Sequence, residues 1–393
     1  MKRRFAPCTQ WVSHEGGVDP WALHWEARQA FDRGEDVIIL SVGDPDIDTP
    51  AQVVEKAVER LRSGDTHYTE TIGRPALREA IAQMHNARTG LDFSAANAAV
   101  LAGTQNGLFV AALCIAGAGD EVITVDPMYT TYPASIRVGG AKLVRVPAPA
   151  AAGFHPDLKA LESALTPATR AIFLATPNNP TGIVLSEDDC DFIADLARRH
   201  GLWIVSDEVY AGIAEGGRIP SLAARLPDQV ITLGSLSKSH AMTGWRIGWL
   251  VGPEDLIRHV EDLALCMLYG LPGFVQDAAL VAIGMHEEVE SRMRDYCSVR
   301  RDRMYSALTD VTGLKPIRPD AGMFMLIDVR GTGLGSADFA RGLFDAEKVA
   351  VLDGALFGRE TDGFVRVCFA AEPAVLDEAV RRISRYIASI ARS

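Results

Sequence analysis

Short apolar runs alternate with helical patterns through the middle of the chain. Five of these runs predict strands buried on both faces of a sheet: VITVDP (Val122 to Pro127), KLVRVPA, AIFLATP (Ala171 to Pro177), LWIVSDEVY (Leu202 to Tyr210) and VITLGSLS. Between two of them, SEDDCDFIADLARRHG predicts a helix that begins at the N-cap Ser186 and ends at Gly201. This alternation indicates an α/β fold built from βαβ units, with a mostly parallel central sheet and helices on both faces.

The pattern changes after about Glu287. A long helix (ESRMRDYCSVRRDRMYSAL) is followed by the predicted strands GMFMLIDV and FVRVCFA and by a final helix. We therefore expect a large domain over residues 42–286 and a small C-terminal α+β domain over residues 287–393. Residues 1–41 are expected to form an N-terminal arm that completes part of the small domain, with Trp11, Trp21 and Trp25 packing it.

Length, charge and cysteine usage narrow the class of protein. A chain of 393 residues suits two domains, since single cores stop growing at roughly 250–300 residues. The net charge of −12 argues against nucleic acid or an anionic membrane as the main partner. The run LFVAALCIAGAG is too short to span a bilayer, and the basic start MKRR does not lead into a signal peptide. Six scattered cysteines without a C-x-x-C pair predict reduced thiols, a cytoplasmic location and no metal site.

Polar residues follow several of the predicted strands, and ligands of such sheets bind at the carboxyl ends of the strands. Asp207 ends an apolar strand, so its carboxylate either caps a helix or loop or holds a cationic ring nitrogen. Tyr210, three residues further on, could donate to a ring oxygen. The cluster ATPNNPTG predicts a turn, but two adjacent asparagines exceed what a turn requires, so one amide could bind a ligand oxygen.

Two further segments carry positive charge or free N–H groups. The turn LAGTQNG leads into a helix whose N-terminus suits an anion, although it matches neither the nicotinamide nor the nucleotide motif. In VITLGSLSKSHAMTGWRIGWLVG only Lys238 and Arg246 are charged, and such side chains are rarely buried without a partner. A phosphate would satisfy Arg246, and a desolvated Lys238 would be a nucleophile for carbonyls. A phosphate, a ring nitrogen, a ring oxygen and an aldehyde together describe pyridoxal 5′-phosphate.

These motifs are typical of one family. SLSKS followed by RIGW, together with SDEVY, NNPTG and GDPDIDTP, resembles the fold-type I pyridoxal-phosphate enzymes of the class I/II aminotransferase family. The resemblance runs from about Val42 to the C-terminus and the motifs occur in the family's order. It implies a homodimeric transaminase that moves the α-amino group of an L-amino acid to a 2-oxo acid with ping-pong kinetics.

The resemblance also implies a role for individual residues. Lys238 would bond to the cofactor's aldehyde and then shuttle the proton, and Asp207 would pair with the ring nitrogen. Asn179 and Tyr210 would bind the ring hydroxyl, and Tyr129 would stack on the ring. The phosphate would be held by Gly103, Thr104, Gln105, Ser235, Ser237 and Arg246.

Two arginine and tyrosine positions extend this set. Tyr68 would reach the phosphate in the neighbouring subunit. Arg366 in FVRVCFA would bind the substrate α-carboxylate, assisted by Gly43 and Asn179; on the sequence alone, a solvent-facing strand residue is the alternative.

The substrate side chain is the least determined feature. VEDLALCMLYGLPGFVQDAA and PWALHWEAR are similar to arginine-using transaminases of this family, which implies a guanidino amino acid as donor and pyruvate as acceptor. No Arg or Lys occurs between Leu263 and Pro272, which disfavours dicarboxylic substrates. Asp46, Asp48 and Glu70 could meet a guanidinium, but the favoured interpretation of these acids is that they cap helices or turns.

Other activities stay open at this stage. The same scaffold could run a β-lyase, synthase or oxidative deaminase reaction, because those enzymes share the cofactor contacts. An aminotransferase with aromatic, neutral or dicarboxylic preference is a further alternative. A non-catalytic pyridoxal-phosphate-binding regulator would need a DNA-binding module, for which this acidic chain has no room.

Overall fold

A computed structural model describes residues 4–12 and 19–390 of the chain, and its strands form three separate sheets. The strands, in chain order, are β1 (Ile38–Ile39), β2 (Ala98–Leu101), β3 (Glu121–Asp126), β4 (Lys142–Pro147), β5 (Thr169–Ala175), β6 (Trp203–Asp207), β7 (Val230–Ser235), β8 (Gly248–Val251), β9 (Lys315–Ile317), β10 (Phe324–Asp328), β11 (Val349–Ala350), β12 (Leu352–Asp353) and β13 (Phe364–Cys368).

The α-helices connect and cover these strands. In chain order they are α1 (Cys8–Trp11), α2 (Ala22–Asp32), α3 (Ala51–Arg62), α4 (Pro75–Thr89), α5 (Thr104–Ile115), α6 (Tyr132–Arg137), α7 (Leu158–Ser163), α8 (Glu187–His200), α9 (Leu222–Arg225), α10 (Glu254–Met267), α11 (Gly273–Gly284), α12 (His286–Thr309), α13 (Ser336–Glu347) and α14 (Pro373–Ile390).

The largest sheet has seven strands in the order β2-β8-β7-β6-β5-β3-β4. Every neighbouring pair from β7 to β4 is parallel, which confirms the mostly parallel sheet predicted from the sequence. The sequence pattern did not reveal β8, which runs antiparallel to both β7 and β2. Because β8 is reversed, its first residue lies at the sheet edge where the parallel strands end.

Alternation along the strands explains why helices cover both faces of this sheet. In β5, Ile172 and Leu174 pack with Ile193 of α8, whereas Phe173 faces the opposite side and packs with Leu108 of α5. The prediction of two buried faces is wrong for β4, where only Val146 is fully buried. As the last strand of the sheet, β4 is incompletely covered by helices.

Local signals set the ends of the helices between the strands. The Ser186 hydroxyl accepts a hydrogen bond from the Asp189 amide, and the Asp189 carboxylate accepts one from the Ser186 amide. This reciprocal capping box starts α8, and Gly201 ends it with a φ of +64°. Both ends agree with the sequence prediction.

The two smaller sheets bring the ends of the chain together. An antiparallel sheet of order β12-β13-β10-β9 packs against α12, α13 and α14. β1 pairs in parallel with β11, and Ala27 and Ala30 of α2 pack on Phe344 of α13. Of the three tryptophans expected to pack the arm, Trp11 and Trp25 remain 44% and 54% exposed, and Trp21 lies elsewhere, at the cavity described below.

Three findings bear on the class of protein. No helix in residues 4–12 and 19–390 is long and apolar enough to cross a lipid bilayer. All six cysteines are free thiols, as their spacing predicts. Within the described residues no cluster of His, Cys, Asp and Glu side chains could hold a metal ion.

Candidate active site

A cavity of about 350 Å³ lies where the strands of the large sheet end and the small antiparallel sheet approaches them. It brings together most of the residues predicted from the sequence: Gly43, Thr104, Gln105, Tyr129, Asn179, Asp207, Tyr210, Ser235, Ser237, Lys238, Arg246 and Arg366. Two predicted residues are outside this lining. Gly103 lies directly behind the Arg246 guanidinium, and Tyr68 lies at a different surface.

Lys238 follows β7 by three residues, and its amine contacts the N-terminal segment of the chain at Gly43. Its Nζ atom donates to the Gly43 carbonyl oxygen at 2.5 Å. Burial lowers the pKa of the Lys238 amine, and the Asp44 carboxylate partly opposes this effect. A neutral amine in this position can accept a proton or attack a carbonyl carbon.

Asp207 is the last residue of β6 and its carboxylate is buried at the bottom of the cavity. One oxygen accepts from the Tyr132 hydroxyl at 3.0 Å, and the other accepts from the Val209 amide at 3.2 Å. Desolvation outweighs both hydrogen bonds and raises the pKa of Asp207 to about 6. Tyr132 was missed in the sequence, where its only signal is its place three residues after Tyr129 at the start of α6.

Positive and N–H groups gather where α5 begins. Gly103 precedes α5 with a φ of +82°, and a Cβ atom there would lie 2.7 Å from Arg246 Nη2. Arg246 itself precedes β8, so the reversed strand delivers this guanidinium to the cavity, where it donates to the Thr243 carbonyl at 2.7 Å. The Thr104 hydroxyl is buried and has no hydrogen-bond partner in the part of the chain that the structure describes. The helix N-terminus, the guanidinium and this hydroxyl together suit an anion.

Two side chains near this cradle already have protein partners. Gln105 donates to the Ser135 hydroxyl and accepts from the Thr131 hydroxyl at 2.6 Å. The Ser235 hydroxyl accepts from the Ser237 amide at 3.3 Å. Gln105 is therefore held against α6 rather than directed freely into the cavity.

Arg366 lies in the middle of β13 and is only 1% exposed, so it is not a solvent-facing strand residue. Its Nη1 donates to Asn179 Oδ1 at 2.8 Å and its Nη2 to the Ser41 carbonyl at 2.7 Å. The guanidinium carbon lies 3.9 Å from the centre of the Phe324 ring and 4.6 Å from that of Phe357. Burial lowers the pKa of Arg366 to about 10, so the group remains charged at neutral pH.

The two adjacent asparagines make different contacts. Asn178 Oδ1 accepts from the amide and the hydroxyl of Thr181 and closes the turn after β5. Asn179 is buried and lines the cavity, where it accepts from Arg366. The sequence argument that one of the pair exceeds the needs of a turn agrees with this arrangement.

Two tyrosines close the sides of the cavity. The Tyr129 ring meets the Tyr132 ring edge-on with centroids 6.5 Å apart. Tyr210 is buried and its ring meets that of Phe324 edge-on at 6.0 Å. Both phenols therefore have fixed ring positions on the cavity wall.

The remaining candidates lie outside the cavity. Tyr68 is 86% exposed and its ring packs on that of Tyr269 at 5.0 Å. Asp46 accepts from the Tyr296 hydroxyl and lies 3.7 Å from an Arg300 nitrogen. Neither Asp46 nor the other two acids considered for a guanidinium, Asp48 and Glu70, lines the cavity, whose only carboxylate among the described residues is Asp207.

Known proteins share this sequence and fold over most of their length. The family model "Aminotransferase class I and II" matches residues 35–383. The arginine–pyruvate transaminase of Pseudomonas aeruginosa is 43% identical over 97% of each chain, and an aspartate aminotransferase of Pyrococcus horikoshii is 34% identical over 91% of this chain and 93% of that one. The solved structure of an aspartate aminotransferase from Thermus thermophilus with maleate covers 98% of this chain and 100% of its own, with a TM-score of 0.92 and 31% identity.

Proposed function

This chain belongs to the class I and II aminotransferase family and is an aminotransferase, and we propose that its donor is L-arginine or a related guanidino amino acid and its acceptor a 2-oxo acid such as pyruvate. The observation that carries the choice of donor is the 43% identity with an arginine–pyruvate transaminase along 97% of both chains. Relatives named for aspartate are less similar, at 34% identity or below among those compared.

The charges in the cavity disfavour dicarboxylic donors, but they do not select a guanidino donor, because Asp207, the one carboxylate of its lining among the described residues, is proposed to pair with the cofactor. Among the described residues, its cationic lining is Lys238, Arg246 and Arg366. If these groups serve the reacting amine, the phosphate and the α-carboxylate, no further cation of this protomer is left for a second carboxylate. A dicarboxylic amino acid would then bind with an unpaired charge, which is costly in a confined site.

The family uses pyridoxal 5′-phosphate, and the residues present fit that group. The unpartnered, buried Thr104 hydroxyl and the N-terminus of α5 offer hydrogen-bond donors to a phosphate, beside the Arg246 guanidinium. The buried Asp207 carboxylate accepts hydrogen bonds from Tyr132 and Val209 and has no cationic partner among the described residues, and a protonated ring nitrogen would supply one. In the bound enzyme, Gly103, Ser235 and Ser237 would complete the phosphate site, while Asn179 and Tyr210 would face the ring hydroxyl and Tyr129 the ring face.

The bound cofactor would supply an electron sink for the pair left when the Cα–H bond of the substrate breaks. The remaining chemistry falls to residues of this chain. The Lys238 amine has a pKa lowered by burial, so it can accept the Cα proton and later donate it. Asp207 would hold the ring nitrogen in its protonated form, because a carboxylate favours the nearby cation.

Arg366 would bind the substrate α-carboxylate through a planar fork of two N–H donors. Its side chain cannot rotate away, because Phe324 and Phe357 lie over it and Asn179 and the Ser41 carbonyl hold two of its nitrogens. A fixed guanidinium orients the substrate as well as binding it, and orientation decides whether the Cα–H bond faces the Lys238 amine.

We also propose that the enzyme is a homodimer in which Tyr68 reaches the phosphate bound by the neighbouring subunit. Exposed apolar side chains on the same protomer support an interface: Val54, Val58, Leu61, Leu265, Met267 and Tyr269. The hydroxyl of Thr69 donates to the Leu271 carbonyl at 2.9 Å, which holds the Tyr68 segment beside Tyr269. Exposed large apolar side chains are typical of such interfaces.

The substrate proposal is tested with a donor screen. The purified enzyme is supplied with pyruvate and with arginine, alanine, aspartate, phenylalanine or lysine, and 2-oxo acid formation is followed for each donor. We expect the highest kcat/KM with arginine and conversion of the bound cofactor to its aminated form when donor is added alone. A preference for aspartate or phenylalanine over arginine, or release of ammonia, would contradict the proposal.

The cofactor proposal has its own test. We expect the purified protein to be yellow and Lys238→Ala to lose the absorbance of the lysine-bound cofactor together with transaminase activity. Lys159→Ala, an exposed lysine on α7, serves as the matched control and should retain both. Unchanged absorbance in Lys238→Ala would show that another group holds the cofactor.

A further inference from the structure

One backbone carbonyl connects Arg366 to the N-terminal helix α2. The Ser41 carbonyl accepts from Arg366 Nη2 at 2.7 Å, and the Ser41 hydroxyl lies 2.9 Å from Nδ1 of His24 in α2. Ser41 is 0% exposed and His24 is 9% exposed, so both contacts lie inside the protein. A single residue thus bonds to Arg366 through its main chain and to α2 through its side chain.

His24 also contacts a side chain that lines the catalytic cavity. Its ring meets those of Trp21 and Trp25 edge-on, with centroid distances of 5.9 and 4.9 Å. Trp21 lies on the cavity wall. Burial, with a smaller contribution from Arg28, lowers the pKa of His24, so the ring is neutral at pH 7 and keeps one nitrogen as an acceptor.

Arg366 has few partners to replace Ser41. Its guanidinium is fully buried and its other hydrogen bond goes to Asn179, while its Nε atom has no hydrogen-bond partner within residues 4–12 and 19–390. A shift of the Ser41 carbonyl would leave a buried cation with one hydrogen bond, which is costly and allows the group to move.

We propose that His24 is a positioning residue for Arg366: it fixes Ser41, and through the Ser41 carbonyl it fixes the guanidinium that binds the substrate carboxylate. This inference rests on the carboxylate-binding role proposed above for Arg366. Neither His24 nor Ser41 is among the residues that line the cavity, so both would act on Arg366 through the main chain of residue 41.

The test uses His24→Ala and Ser41→Ala, with calorimetric titration of the holoenzyme by pentanoate, a carboxylate without an amino group. Losing one hydrogen bond should weaken pentanoate binding about fivefold in either variant. Pentylamine, which lacks the carboxylate, should bind the holoenzyme with unchanged affinity, and pyridoxal 5′-phosphate should bind the apo-protein with unchanged affinity. The KM for both donor and 2-oxo acid should rise more than kcat falls.

The two variants probe one contact from opposite sides. Ser41→Ala removes the hydroxyl and keeps the carbonyl, so the double variant should bind pentanoate about as weakly as either single one. His24→Asn offers an amide near the position of Nδ1 and should recover part of the affinity. His200→Asn, at the exposed end of α8, is the control and should match the unchanged enzyme.

Two results would overturn the inference. The first is that folded Ser41→Ala binds pentanoate with an affinity within twofold of that of the unchanged enzyme. This test remains valid even if His24→Ala fails to fold. The second is full additivity of the two substitutions. If Arg366→Leu also leaves pentanoate binding unchanged, the proposed role of Arg366 fails as well; if Arg366→Leu abolishes binding, only the role of His24 fails.

Discussion

Two arginines face one cavity from opposite sides and are held in different ways. Arg246 comes from the large sheet, is exposed, and donates to carbonyls of Thr243 and Ala102. Arg366 comes from the small sheet, is fully buried, and contacts two phenylalanine rings. Water can solvate the charge of Arg246, whereas the charge of Arg366 is stabilised only by the few protein groups that contact it. Under the proposed function, we expect a permanent anion, the cofactor phosphate, at Arg246 and a transient one, the substrate carboxylate, at Arg366.

Arg366→Leu should have the largest effect. Removing two charge-assisted hydrogen bonds to the carboxylate should lower kcat/KM for donor and acceptor about 1,000-fold, with pyridoxal 5′-phosphate affinity retained. Steady-state kinetics and titration of the apo-protein with the cofactor measure the two quantities. Arg381→Leu, on the exposed side of α14, is the control. A variant that keeps kcat/KM within tenfold would remove the distinction between the two arginines.

Arg246→Leu should act on the opposite quantity. We expect cofactor affinity to fall about 50-fold, since a charge-assisted contact to phosphate is lost, while kcat at saturating cofactor changes little. Absorbance titration of the apo-protein measures the affinity. If kcat/KM for substrate falls and cofactor affinity does not, the two arginines have been assigned to the wrong anions.

Asp207 extends the comparison to an acid on the cofactor side. Its pKa of about 6 in the folded apo-protein exceeds the ordinary 3.8, so between pH 4 and 6 the unfolded chain ionises first. The folded apo-protein therefore loses stability as pH rises through this window, and the loss is complete above it. Asp207→Asn should raise the free energy of unfolding of the apo-protein above that of the unchanged protein, and this gain should be about 2 kcal/mol larger at pH 8 than at pH 4. Denaturant unfolding at both pH values measures this, and a difference independent of pH would contradict it.

Phe357→Leu should give the smallest effect and tests the aromatic faces around Arg366. A desolvated cation–aromatic contact contributes about 1 kcal/mol, so pentanoate affinity should fall about fivefold. Calorimetry on the holoenzyme measures it. Phe154→Leu, which packs on Phe364 away from the guanidinium, is the matched control, and equal losses in both variants would indicate a general packing effect.

The positions of the residues proposed to bind the cofactor could be predicted from the sequence more fully than the contacts of Arg366. Asp207, Asn179 and Lys238 follow strands that can be recognised from apolar runs in the sequence. Their position at a common edge of the sheet could therefore be predicted from the sequence alone. The partners of Arg366 could not, because Ser41 and Phe357 reach it only through the pairing of distant segments. The sequence pattern also missed β8 and its antiparallel direction, because a strand of four residues does not reveal which distant strand it pairs with.

The surface around Tyr68 marks a different limit. An exposed tyrosine packed on another exposed tyrosine has no complete environment within one chain. The group that contacts Tyr68 from a second subunit follows neither from the sequence pattern nor from the structure of a single chain. The family resemblance supplied that expectation, and the dimer stays a prediction.

The hydrogen bond between Ser41 and Arg366 joins residues 325 positions apart. Every strand of the seven-stranded sheet ends by Val251, and Lys238 and Arg246 lie on the connection between its neighbours β7 and β8. During synthesis, the half of the cavity built by these strands has all its residues once about 252 have been joined. The other half needs residue 366, so the ribosome synthesises the residues proposed to bind the cofactor more than a hundred residues before the arginine proposed to bind the substrate.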